Sequence, residues 1–200
     1  MKLYLSSVGI PNPAAFRELF SPSQTHQIAF ITNGWDNATT GKSTPFIEST
    51  RQTIISEGFA CELLDLTAYK QRPNQLQEEL QRFAGVWVTG GNAFYLNYLM
   101  NDCNFGEIVQ ELGKNNFVYG GESAGAVVAG STLHGIEVLD SLREAPHALW
   151  NGLGLVPYGI IPHWGETKYE LYLERVYREM EQFAEVRTLA NGDYIVASDA

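Results

Sequence analysis

Cysteine, histidine and basic charge are all scarce in this 200-residue chain, and each scarcity removes a class of function. The two cysteines, Cys61 and Cys103, form no CxxC pair, and the four histidines do not cluster, so neither a metal site nor a redox pair is expected. Lys and Arg total 13 against 23 Asp and Glu, a formal charge of −10 that repels phosphate backbones and anionic lipid. The densest basic stretch, "RVYRE" at 175–179, reads as the exposed face of a helix, so no nucleic-acid or membrane partner is expected. No run approaches membrane-spanning length, and the stretch before the first turn signal in "MKLYLSSVGIPNP" is too short for a signal peptide; a cytoplasmic location is the expectation. Repeats, low-complexity tracts and Pro/Gly-rich linkers are also missing, which predicts one α/β domain over residues 1–200.

What is present is a hydrophobic share of 44% with 18% charge, enough to build a packed core and too apolar for disorder. Short apolar runs recur at 2–8, 27–32, 60–66, 85–90, 116–120, 158–164 and 194–198 and read as buried strands. Helical spacing appears at 46–57 and 74–83 and most clearly at 168–183, where Tyr169, Tyr172, Leu173, Val176, Tyr177, Met180 and Phe183 form one stripe. Alternation of the two kinds predicts a mostly parallel sheet with helices on both faces. Ligands of such sheets sit beyond the carboxyl ends of the strands, which singles out the loops "TGGN" (89–92), "GGESAGA" (120–126) and "PHWGE" (162–166).

"GGESAGA" places Ser123 between a strand and a segment, "GAVVAG", able to open a helix, the context of a nucleophile elbow. Small neighbours are needed there because the sharp turn brings helix and strand together. The N–H of Ala124, at the helix start, can point to an oxyanion formed at Ser123. A single Gly-x-Ser-x-Gly match is also compatible with a plain helix cap, so a base and a second donor are required. Of the four histidines, His163 ends the run "GIIPHW" on the expected sheet edge, whereas His26 precedes a strand and falls at the opposite one. The glycines of "VTGGN" let Gly91 offer the second N–H, while Asn92 reads as a cap for a helix starting near Ala93. The stretch "DNATTGKST" at 36–44 imitates a phosphate-binding loop but has Asp36 in place of its first glycine, and nucleotide binding is set aside.

Taken together, "GGN" plus an aromatic at 90–94, "GGESAGA" at 120–126, "GLGLVP" at 152–157 and "IPHWGETKYE" at 161–170 make the chain resemble the peptidase E (aspartyl dipeptidase) family of serine peptidases, related to cyanophycinase. The resemblance covers nearly the whole chain. It implies a class I glutamine amidotransferase-like fold, a flavodoxin-like three-layer α/β domain. It implies Ser123 as nucleophile, His163 as general base, Gly91 and Ala124 as oxyanion hole, a small peptide substrate and no metal or organic cofactor, and is compatible with a homodimer.

Two departures from that family follow. Its third triad member is a carboxylate in a segment matching "LANGDYI" at 189–195, where this chain has Asn191; Asp193, Glu166, Glu122 and a bare Ser–His dyad are the alternatives. Its substrate-holding arginine is replaced by Lys168 in "GETKYE", a point charge rather than a fork, which argues against strict selection for N-terminal aspartate. Lys168, Glu122, Asn92 and Glu166 are the candidate substrate-binding residues. The expected activity is hydrolysis of short peptides, dipeptides above all, with another acyl hydrolase or a silent binding protein on the same fold as the rival readings.

Overall fold

A computed structural model describes residues 1–38 and 45–198. In chain order the strands are β1 (Lys2–Ser6), β2 (Gln27–Ile31), β3 (Ala60–Leu63), β4 (Gly85–Val88), β5 (Val118–Glu122), β6 (Gly159–Ile161), β7 (Val186–Thr188) and β8 (Tyr194–Ser198). The helices are α1 (Pro13–Arg17), α2 (Pro45–Ser56), α3 (Pro73–Leu80), α4 (Ala93–Asp102), α5 (Phe105–Gly113), α6 (Ala124–Ala129) and α7 (Glu170–Met180). Six strands form one sheet in the order β3-β2-β4-β5-β1-β8, parallel except for β8, and β6 pairs with β7 in a separate parallel ribbon. Strands β2 to β5 follow the 2-1-3-4 order of flavodoxin-like sheets, with β1 in the fifth place. The expected α/β fold, a mostly parallel sheet covered on both faces, is the observed one.

Side-chain alternation explains the two covering layers. Tyr4, Ile28, Phe30, Trp87 and Val118 face α1 and α2 with Phe16, Ile47 and Ile54. Their neighbours Leu3, Leu5, Ala29, Ile31, Val86, Val88 and Tyr119 face the other way, against α3 to α6. All of these are buried, as a sheet sandwiched between helices requires.

Four sequence expectations need correction, the first two being that the runs at 60–66 and 194–198, read as buried strands, form the partly exposed edge strands β3 and β8. The strand expected at 116–120 is shifted to Val118–Glu122, because β1 and β4 pair with Gly120 and Gly121 from both sides, and β1 with Glu122, overriding the low strand propensity of glycine. The α7 stripe is narrower than its spacing suggested: Leu173, Val176 and Met180 are buried, whereas Tyr172 and Phe183 are exposed, since the helix packs mainly along β6 and the 136–138 turn. Helix α5 and strand β7 have no counterpart in the sequence reading. The part of the phosphate-loop imitation at 39–44 lies outside the described residues. No helix among the described residues is long and apolar enough to cross a membrane.

Candidate active site

Parallel pairing sets the carboxyl ends of β1, β4 and β5 level, Ser6 opposite Glu122 and Val88 opposite Gly121, so the loops leaving them share one edge. Ser123 follows β5 directly and takes φ 52°, ψ −117°, a conformation that side chains rarely adopt and that costs about 1–3 kcal/mol. Backbone hydrogen bonds and a close helix-to-strand approach hold it there. Its N–H donates to Ser6 O at 3.1 Å, and its carbonyl accepts from the N–H groups of Ala126 and Val127, both at 2.9 Å. Gly125 lies so near β4 that a Cβ would overlap the carbonyl oxygen of Val88.

Ser123 Oγ lies 3.0 Å from His163 Nε2. His163, itself at φ 61°, leaves β6 through the turn "HWGE", closed by the Glu166 N–H on His163 O at 3.1 Å. On the far side of the ring, Nδ1 lies 3.0 Å from Asn191 Oδ1. Asn191 sits in the turn after β7, and the β6–β7 ribbon extends just far enough, through Leu189 N–H to Ile161 O and Trp164 N–H to Leu189 O, to bring the two turns together. The Asn191 Nδ2 group donates to Glu166 Oε1. Ser7, just past β1, ties the arrangement to the main sheet: its Oγ accepts from His163 N–H at 2.7 Å and donates to Asn191 Oδ1 at 3.3 Å. Of the sequence alternatives for the ring's partner, Asp193 caps its own turn through Ala190 N–H, and Glu122 points into the core.

Gly91 has φ +110°, and a Cβ there would overlap the backbone of Gly34, so glycine is required at this position twice over. Gly91 and Ala124 line, with Ser123, a cleft of about 230 Å³ that also includes Trp35, Leu139, Asp140 and Tyr169. A second cleft of about 440 Å³ opens on the other side of Ser123 and His163, walled by Ser7, Trp35, Phe46, Glu166, Lys168 and Asn191. A hydroxyl hydrogen-bonded to an oriented imidazole, beside N–H groups at a helix start and a glycine turn, is chemically equipped for acyl transfer.

Two of the expected substrate-binding residues are occupied elsewhere. The Glu122 carboxylate, 7% exposed, accepts from Gly9 N–H at 2.5 Å, Trp87 Nε1 at 3.3 Å and Thr50 Oγ1 at 3.4 Å, and burial pushes its pKa up against the pull of those donors. It braces the floor under Ser123 rather than offering a free carboxylate. Asn92 caps α4 through Tyr95 N–H at 2.9 Å and donates to Ser141 O at 2.9 Å, so its cap reading holds and its side chain is committed. Lys168 is exposed on the rim of the larger cleft, its Nζ 4.4 Å from the centre of the Tyr169 ring.

Sequence reading missed Ser7, Trp35 and Asp140. Ser7 could have been found by the strand-end rule applied to β1; Trp35 and Asp140 lie in turns with no motif. Asp140 accepts from Ala93 N–H at 2.7 Å, bracing the start of α4 beside Gly91. Burial raises its carboxyl to about 6, opposed by that hydrogen bond and assisted by nearby Glu144.

Fold and site define a class: an α/β protein with serine and histidine brought together at a strand-to-helix elbow. The chain belongs to peptidase family S51, whose family model matches residues 13–200, and it is a serine peptidase of the peptidase E group. It is 24% identical over 181 residues to the uncharacterized peptidase Lmo0363 of Listeria monocytogenes, covering 90% of this chain and 86% of that one. It is 26% identical over 145 residues to peptidase E of a Shewanella species, covering 68% of this chain and 59% of the relative. Its fold matches a crystal structure from Listeria monocytogenes provisionally assigned as a peptidase E protein, with TM-score 0.82, 24% identity and coverage of 98% and 93%. A peptidase from an acI-B1 Actinobacterium matches with TM-score 0.70 at 18% identity, covering 98% and 82%.

Proposed function

We propose that this peptidase hydrolyses short peptides, dipeptides above all, through an acyl-enzyme on Ser123. The observation that carries this reading is the 3.0 Å approach of Ser123 Oγ to His163 Nε2 at a strained elbow. His163 takes the hydroxyl proton as Oγ attacks the scissile carbonyl carbon, and the N–H groups of Gly91 and Ala124 receive the oxyanion. Collapse of the tetrahedral intermediate breaks the C–N bond, with the proton passing from His163 to the leaving amine. Water, deprotonated by the same imidazole, then releases the acyl group as a carboxylate and restores Ser123.

Small substrates fit the clefts, about 230 and 440 Å³, the first below and the second in the lower part of the roughly 300–1,000 Å³ typical of ligand pockets. Selection at the first residue is argued from Lys168: an exposed ammonium resting on Tyr169 holds a carboxylate loosely, so the preference for N-terminal aspartate is weak.

Fluorophosphonate labelling and a dipeptide panel test this. Covalent modification of wild type, lost in Ser123→Ala, together with cleavage of several dipeptides, is the expected result. No labelling and no hydrolysis of any dipeptide or ester would overturn it. Strong preference for N-terminal aspartate, abolished in Lys168→Ala, would overturn the reading of Lys168 alone.

A further inference from the structure

We propose that Glu166 is a positioning residue for the hydrolytic machinery: its carboxylate orients the Asn191 amide so that the amide oxygen, not the NH2, faces His163. This rests on the Ser123–His163 reading above and assigns Glu166 a part that is neither substrate binding nor direct contact with the imidazole.

Asn191 is exposed, so packing does not choose between its two amide orientations. One orientation offers an oxygen to His163 Nδ1; the other offers an NH2, which would meet the Nδ1–H as donor against donor and favour the tautomer protonated on Nε2. That tautomer cannot accept the Ser123 proton. An ionised carboxylate is an acceptor only, so Glu166 Oε1 demands the NH2 of Asn191 and leaves the oxygen for the ring. Ser7 votes the same way: its Oγ already accepts from His163 N–H at 2.7 Å, so its own proton goes to Asn191 Oδ1 at 3.3 Å. Every step of the chain Glu166–Asn191–His163–Ser123 then has one donor and one acceptor. The turn that carries His163 also carries Glu166, so the base brings its own alignment with it.

A carboxylate at position 191 would have two equivalent oxygens and no wrong orientation. That difference supplies the test. In the full chain, Glu166→Ala is expected to lower kcat on the order of tenfold with KM changed less than about twofold, and Glu166→Gln, whose amide oxygen can still accept, to recover most of the loss. In an Asn191→Asp background the same Glu166→Ala change is expected to leave kcat unchanged or raise it, because orientation is no longer needed and a like charge is removed. Equal losses in both backgrounds, or a loss seen in KM alone, would overturn the proposal. Nitrogen-15 NMR of the His163 ring reads the tautomer without any turnover: a dominant Nδ1–H form in wild type, giving way to a mixture in Glu166→Ala, is expected. An unchanged tautomer would overturn the proposal whatever the hydrolysis assays show, whereas the expected tautomer shift in a protein that cleaves nothing would count against the peptidase reading only.

Discussion

The two flanks of Ser123 are built on different principles. On the oxyanion side, Gly91, Gly125 and Ala124 act through the backbone, in a part of the molecule so crowded that a single Cβ has nowhere to go. On the histidine side, His163, Glu166 and Asn191 act through side chains on two partly exposed turns, joined by hydrogen bonds rather than by packing. The first flank is rigid because sterics allow one arrangement. The second is ordered only as far as its donors and acceptors agree, and it is open to water. The lesson is that changes on the oxyanion flank damage fold and rate together, while changes on the histidine flank reach the rate with the fold intact.

The largest break is expected at the point where the flanks meet. Ser123→Ala should lower kcat/KM by on the order of 10⁴-fold or more while preserving the thermal transition, since it removes one hydroxyl and keeps the Cβ already accommodated at the elbow; steady-state assay and calorimetry check both. Next, Gly91→Ala should lose on the order of 100-fold in kcat and also destabilise, by roughly 2–3 kcal/mol, because φ +110° and the Gly34 backbone both oppose the methyl group. Denaturant titration beside kinetics would test the coupling; a slow but fully stable variant would break the comparison.

Asn191→Ala, on the other flank, should cost on the order of 10- to 100-fold in kcat with stability unchanged within about 0.5 kcal/mol, as expected for an exposed residue. An equally large loss of stability would show that the histidine flank is also held by packing.

The smallest effect on rate is expected at Asp140, which braces the oxyanion flank from behind and acts on stability instead. Its folded pKa of about 6 lies above its ordinary value of 3.8, so the folded state holds the proton more tightly and stability falls as pH rises through the window from about 4 to about 6. Asp140→Asn should therefore gain stability relative to wild type across that window, by at most about 3 kcal/mol, and hold a constant advantage above it. Melting temperatures from pH 4 to 8 would show the trend; an advantage that is greatest at low pH would contradict the sign.

Legibility in the sequence followed the same division. The elbow could be read because its chemistry is local: Ser123 with glycines at 121 and 125 after an apolar run leaves few conformations. Gly91 and His163 were reachable because strand ends in a parallel sheet share an edge, so position along the chain predicts position in space. The commitments of Glu122 and Asn92 to core and cap were not readable, since a charged or amide residue beside a nucleophile looks available until burial and capping are visible. Ser7 and Asp140 escaped notice because their partners, Asn191 and Ala93, are respectively 184 and 47 positions away.

Residue order alone dictates the alternation that makes an α/β sheet, the serine at its turn and the glycines that make room for it, because these follow from periodicity and from backbone sterics between near neighbours. The partner of the histidine is another matter. Asn191 rather than Asp193 or Glu122 meets the ring because a short ribbon, β6 with β7, lines up two turns distant in the chain, and a hydrogen bond forms only where such an alignment leaves donor and acceptor within reach.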